Sequence, residues 1–182
     1  MPAGGWRTLR SRVVYANAWL SVREDDVVRP DGSEGIYGVV DTHSPAVYVV
    51  ALTDADEVVL VSQNRYPTAE LSLECPAGAT DGDPPLEAAR RELREETGYM
   101  AGSWTSLGAV RSMNGIASES QHVFLARDVM AVDEPGAHPE EGILGVSLVP
   151  WKRVLELVRD GGIVDGQSVS SLMLAALALG RV

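Results

Sequence analysis

Between positions 46 and 66 the chain carries two apolar runs, AVYVVALT and EVVLVSQNRY, separated by a polar break at 54–57. Runs this rich in valine read as strands buried on both faces, most simply joined as a hairpin. LSLECPAG continues as a further strand running into a Pro-Ala-Gly turn. The period then changes. In PPLEAARRELREETGY, positions 84–99, Leu86, Ala89 and Leu93 recur at helical spacing. Pro84 and Pro85 suit a first helical turn, Asp83 just before them can cap the exposed N–H groups, and Gly98 fits the left-handed residue that closes a helix. WTSLGAVRSM and SQHVFLARDV read as two more strands joined by a loop at 114–118, and GILGVSLVPW as another. KRVLELVRDG reads as a helix ended by Gly161 and Gly162, and SVSSLMLAALALG as a second, apolar one.

Upstream, residues 1–10 offer little pattern. From Arg12 the segments SRVVYA, WLSVREDDVVR and GIYGVVDT are strand-like, with Pro30, Asp31 and Gly32 forming a turn between the last two. Such a small antiparallel unit is marginal by itself and has to pack on the main domain or on a second subunit. The pattern therefore predicts an α+β chain: a β extension over 1–45 and a main domain of sheet and helices over 46–182.

Composition narrows the function. A net charge of -11 argues against a nucleic-acid binder working through bulk electrostatics, while a small anionic substrate stays open if metal and local arginines supply positive charge. The single cysteine, Cys75, forms no internal disulfide and fits a reducing, cytoplasmic setting. No apolar run is long enough to span a membrane, and no signal-like leader opens the chain.

The helix at 84–99 carries the candidate chemistry. Glu92, Glu95 and Glu96 stand at i, i+3 and i+4, where like charges repel by a few tenths of a kcal/mol per pair. A hard divalent cation relieves that repulsion, since Mg²⁺ prefers carboxylate oxygens and keeps several waters. A solvated acidic face is the plain alternative for the glutamates alone.

Gly78, Asp83 and the run Arg91-Glu92-Leu93-Arg94-Glu95-Glu96-Thr97-Gly98-Tyr99 resemble the Nudix box, G-x5-E-x7-R-E-U-x-E-E-x-G-U with U a bulky apolar residue. Two departures stand in the loop: Asp83 replaces the first glutamate, and its gap from Gly78 is one residue short. Asn64-Arg65-Tyr66-Pro67 and Leu73-Glu74-Cys75-Pro76-Ala77-Gly78 resemble the QxRYP and LELPAG signatures of the ADP-ribose pyrophosphatase branch. The N-terminal segment resembles that branch's extension, which often exchanges a small sheet across a homodimer.

The resemblance implies a Nudix fold, an α/β/α sandwich with a mixed sheet, and Mg²⁺- or Mn²⁺-dependent hydrolysis of ADP-ribose or a related nucleoside diphosphate sugar. It implies Glu92 and Glu96 as principal metal ligands, Glu95 on a further ion and the Ala77 carbonyl completing the shell, with Arg91 orienting the glutamates. Glu119 is implied as the base that activates water, with Glu92 the alternative. Arg65 is implied as a substrate contact, or as the ion-pair partner of Glu70 or Glu74. Trp19 and Tyr37 match aromatics that stack on the nucleobase, one from each subunit. The rival readings are a Nudix-fold sensor without catalysis and an enzyme of oxidised nucleoside triphosphates. His43, His122 and His138 show no ligand spacing, and Cys75 fits as a small buried hydrophobe.

Overall fold

The computed structural model describes residues 5–132 and 142–181, so His138 lies outside the described residues. The chain divides into two units, one of residues 1–45 with 111–120 and one of 46–110 with 121–182.

The first unit is an antiparallel meander of β1 (Arg7–Ala16), β2 (Leu20–Val28) and β3 (Glu34–Thr42), in that order. β1 starts at Arg7, ahead of the strand pattern at Arg12, because Arg7 and Thr8 pair with Val28 and Val27. Ladder pairing extends the strand where side-chain alternation is silent. The expected turn between β2 and β3 closes by Arg29 N–H donating to the Ser33 carbonyl, 2.8 Å, and Ser33 N–H to Asp31 Oδ1, 2.9 Å. Gly32 supplies the positive φ of 87° that the turn needs. The 111–120 segment belongs to this unit through Val40, whose N–H donates to the Ile116 carbonyl and whose carbonyl accepts from Ser118 N–H.

In the second unit the two valine runs are not a paired hairpin. β4 (Ala46–Ala51) lies in a mixed sheet of order β7-β4-β9-β8, while β5 (Glu57–Arg65) lies between β10 (Ile143–Pro150) and β6 (Glu70–Glu74). β4 runs parallel to β9 (Gln121–Ala131) and antiparallel to β7 (Ala77–Ala79), and β8 (Tyr99–Val110) pairs antiparallel with β9. A bridge from Leu52 to Val58 and the Thr53 N–H donating to the Glu57 carbonyl at 2.9 Å join the two runs before they part. The physical reason is burial: each strand has helices to cover both faces, which a free hairpin lacks.

β4 shows this directly. Val47, Val49 and Ala51 pack with Ala88, Ala89 and Leu93 of α1 (Pro85–Thr97). Tyr48, Val50 and Leu52 pack on the other side with Trp151 and Val154 of α2 (Trp151–Asp160) and Leu172, Ala175 and Ala176 of α3 (Gly166–Ala178). Period-two alternation along one strand thus feeds two separate cores, the α/β/α sandwich expected.

Candidate active site

α1 is positioned by its ends. Gly98 closes it in the left-handed region, φ 72°, donating to the Arg94 carbonyl at 2.8 Å, as its sequence predicts. The N-terminus departs from expectation. Pro84 is the capping residue, its carbonyl accepting from Glu87 and Ala88 N–H, and no side chain caps the helix. Asp83 falls one residue outside the capping position. Its N–H instead donates to the Thr80 carbonyl at 2.8 Å, and its carboxylate lies 3.9 Å from Arg91 Nε. The shortened loop is therefore a tight turn, and Asp83 faces the box arginine.

The glutamates are not equivalent. Glu92 and Glu96 are buried, 8% and 5% exposed, whereas the Glu95 side chain is 58% exposed. Glu96 Oε2 accepts from the Ala77 N–H at 2.8 Å, so the strand-to-helix approach fixes that carboxylate. Glu92 lies directly over Gly78, where a β-carbon would overlap its carboxylate. Arg91 binds the group together, with Nη1 at 2.8 Å from Glu92 and 3.1 Å from Glu95, and Nη2 donating to the Ala79 carbonyl at 2.9 Å. The structure thus brings together Ala77, Arg91, Glu92, Glu95 and Glu96. Gly78 has a place in the motif, and the fold gives it a role no local pattern carries, leaving the space that Glu92 fills.

Glu92, Glu95 and Glu96 gather three carboxylates at one end of β7, two of them buried, with Arg91 meeting Glu92 and Glu95. Carboxylate oxygens grouped in this way are the donors that a hard divalent cation prefers. Among the described residues no three acidic, histidine or cysteine side chains already converge as a metal shell. A hard cation that retains waters and takes backbone oxygens needs fewer side chains than that. The donor set fits such an ion: two buried carboxylates beside an exposed-face glutamate and the Ala77–Ala79 backbone.

Arg65 makes the ion pair with Glu74 rather than Glu70. Its Nε donates to Glu74 Oε1 at 2.9 Å and its Nη2 bonds Oε2 in the same fork. Glu74 is 2% exposed, and its hydrogen bond is the main cause that raises the Arg65 pKa above the ordinary arginine value. In the first unit, Tyr37 meets Trp6 edge-on, ring centroids 5.1 Å apart, and its hydroxyl donates to the Gly115 carbonyl. Trp19 instead lies in the β1–β2 turn, 76% exposed, its N–H on Asn17 Oδ1. Trp6 carried no sequence signal because its neighbours show no alternation. Glu119 sits in the 111–120 segment, half-buried, its carbonyl 3.4 Å from Arg111 Nη1.

Cys75 is 1% exposed, with its N–H donating to the Ser168 hydroxyl at 2.9 Å. Burial pushes its thiol up to about 12. The native protein at pH 8 is expected to show no reaction with a thiol-specific chromogenic disulfide over an hour. One equivalent should react at once in denaturant, where the thiol returns to its ordinary range.

The chain is similar to known proteins along nearly its whole length. Residues 42–167 match the NUDIX domain family, and residues 6–40 match the nucleoside diphosphate sugar hydrolase N-terminal domain. An ADP-ribose pyrophosphatase of Mycobacterium tuberculosis is 32% identical over 170 residues, 92% of this chain and 82% of that protein. One from Bacillus subtilis is 30% identical, covering 94% of this chain and 92% of that protein. The crystal structure of an ADP compounds hydrolase superposes with a TM-score of 0.83 at 25% identity, over 97% of both chains.

Proposed function

The chain belongs to the Nudix family, and we propose that it hydrolyses the pyrophosphate bond of ADP-ribose or a related nucleoside diphosphate sugar. Water adds to one phosphorus, the bridging P–O bond breaks, and a nucleoside monophosphate and a sugar phosphate leave. The observation that carries this reading is the pair of buried carboxylates, Glu92 and Glu96, held over Gly78 and the Ala77 amide beside Arg91. Relatives named for ADP-ribose along nearly the whole chain support the substrate class.

Mg²⁺, with Mn²⁺ as substitute, is the proposed ion, held by Glu92, Glu96 and the Ala77 carbonyl, with Glu95 serving a further one. When bound, such an ion supplies positive charge to the diphosphate oxygens and acidifies water. The chain's own part is orientation and proton transfer. Arg91 clamps Glu92 and Glu95, the Ala77 N–H fixes Glu96, and Glu119 takes the proton from the attacking water. Arg65, held by Glu74, offers its remaining N–H groups to the substrate, and Tyr37 and Trp19 are proposed to flank the nucleobase.

The working form is proposed to be a cytoplasmic homodimer. β1 is an edge strand exposed along its whole length, with Leu9, Val13, Val14 and Tyr15 open to solvent. Exposed apolar edges are ordinarily covered, and a second copy is the proposed cover. Among the described residues no helix is long and apolar enough to cross a membrane.

A panel of ADP-ribose, ADP-glucose, GDP-mannose and NADH, each with Mg²⁺ or Mn²⁺, tests the function. At least one nucleotide sugar is expected to turn over at 1 s⁻¹ or more, on the order of ordinary enzymes, with activity abolished by EDTA. Silence across the panel overturns the proposal.

A further inference from the structure

The segment 111–120, which carries Glu119, has little apolar anchorage of its own. Residues 111–116 are exposed, and the two large apolar side chains, Met113 and Ile116, stand 43% and 57% open to solvent. Within the segment a short turn closes on the Met113 carbonyl, which accepts from Ile116 N–H at 2.9 Å and Ala117 N–H at 2.8 Å. That turn sets the shape of the segment but not its place. A stretch with few buried contacts keeps its place through the hydrogen bonds that tie it down.

Those ties run to β3, an edge strand of the meander. Two are backbone bonds at Val40, whose N–H donates to the Ile116 carbonyl at 2.8 Å and whose carbonyl accepts from Ser118 N–H at 2.9 Å. They make a parallel bridge from Val40 to Ala117. The third is a side chain: the Tyr37 hydroxyl donates to the Gly115 carbonyl at 2.5 Å, across 78 positions of sequence. Tyr37 can hold this bond because it is itself held. It pairs with Asp25 in the β2–β3 ladder, and Trp6 meets its ring edge-on. The hydroxyl is therefore a fixed post to which the segment fastens shortly before Glu119.

We propose that Tyr37 is a positioning residue for Glu119, its hydroxyl pinning the segment so that the carboxylate is presented at one place for proton transfer. The inference rests on the role proposed for Glu119 and deepens it, giving the Tyr37 hydroxyl a task separate from that of its ring. The ring serves binding and the hydroxyl serves turnover.

Tyr37→Phe keeps the ring and its contact with Trp6 and removes only the hydroxyl. Two of the three ties remain, so kcat for ADP-ribose is expected to fall roughly tenfold, short of the ~100-fold that a misplacement of about 1 Å can cost. KM should stay unchanged, a split that a loosened binding site would not give. In a Glu119→Gln background the same substitution should change kcat by less than about twofold, because the group being positioned is already gone. Amide hydrogen exchange reads the tie without turnover. The Val40 and Ser118 amides should exchange several-fold faster in Tyr37→Phe, while those of β4 are unmoved. With Glu119→Gln impaired, an unmoved kcat in Tyr37→Phe, unchanged exchange at both amides, or losses that multiply in the double variant each overturn the inference and leave the functional proposal standing. Wild-type turnover in Glu119→Gln removes Glu119 as the base, and the inference with it. Wild-type protein that hydrolyses no nucleotide sugar overturns the functional proposal itself.

Discussion

Glu92→Gln and Glu96→Gln are each expected to lower kcat by roughly 10³-fold, about 4 kcal/mol of barrier, with the fold intact. Both carboxylates are buried where strand β7 and helix α1 converge, and under the proposed function each is a metal ligand that no mobile surface group can replace. Glutamine keeps the shape and the hydrogen-bond acceptor but removes a charge. In metal-free protein that removal relieves repulsion among the neighbouring carboxylates of Glu92, Glu95 and Glu96, so Tm should hold or rise slightly. Metal should stabilise the wild type by linkage and leave both variants almost unmoved. Glu95→Gln is the internal contrast: with its side chain 58% exposed and leaning on Arg91, it should lose less than about tenfold. Steady-state kinetics across a Mg²⁺ titration, paired with thermal melts, check all three. Equal losses at Glu92, Glu95 and Glu96 would mean that burial does not rank the ligands as argued.

Much of this arrangement is legible in the residues, and the parts that are not share a cause. Helix α1 declares itself through Leu86, Ala89, Leu93 and Gly98 because period and termination are local properties. Its start is misjudged by one position: two successive prolines leave Pro84 as the cap and Asp83 outside it. The two valine runs are recognisable as buried strands, yet their partners are not, since an apolar strand covered on both faces carries no record of which sheet it joins. The same holds for 111–120, whose docking onto Val40 depends on two backbone hydrogen bonds that no side chain encodes. Arg65 offered both Glu70 and Glu74 as partners at the sequence level. Glu74 wins because it is buried and needs a cation, whereas Glu70 is exposed and does not. Trp6 beside Tyr37 is another non-local contact, invisible from a segment without alternation.

Gly78→Ala is expected to cost roughly 10²-fold in kcat while lowering Tm by only a few degrees, a separation of activity from stability that a core substitution would not give. A methyl on Gly78 occupies the space of the Glu92 carboxylate. The backbone there has no left-handed φ, so the strain is not conformational. The obstructed group is the far end of a flexible side chain, which can swing aside at little energetic cost. Swinging aside takes it from Arg91 Nη1, now 2.8 Å away, and a displacement of about 1 Å at a catalytic group is enough for losses of this size. Gly145→Ala, where an added β-carbon meets nothing within 4 Å, should leave kcat unchanged and serves as the control. Coupling to Glu92 sharpens the test. Glu92→Asp alone shortens the reach and should be severely impaired, but in the Gly78→Ala background the shorter carboxylate clears the methyl, so the two losses should combine to less than their sum. If Gly78→Ala keeps full activity and full metal-induced stabilisation, Glu92 must occupy a different position in the working enzyme, and the site is not built around the gap that this glycine leaves.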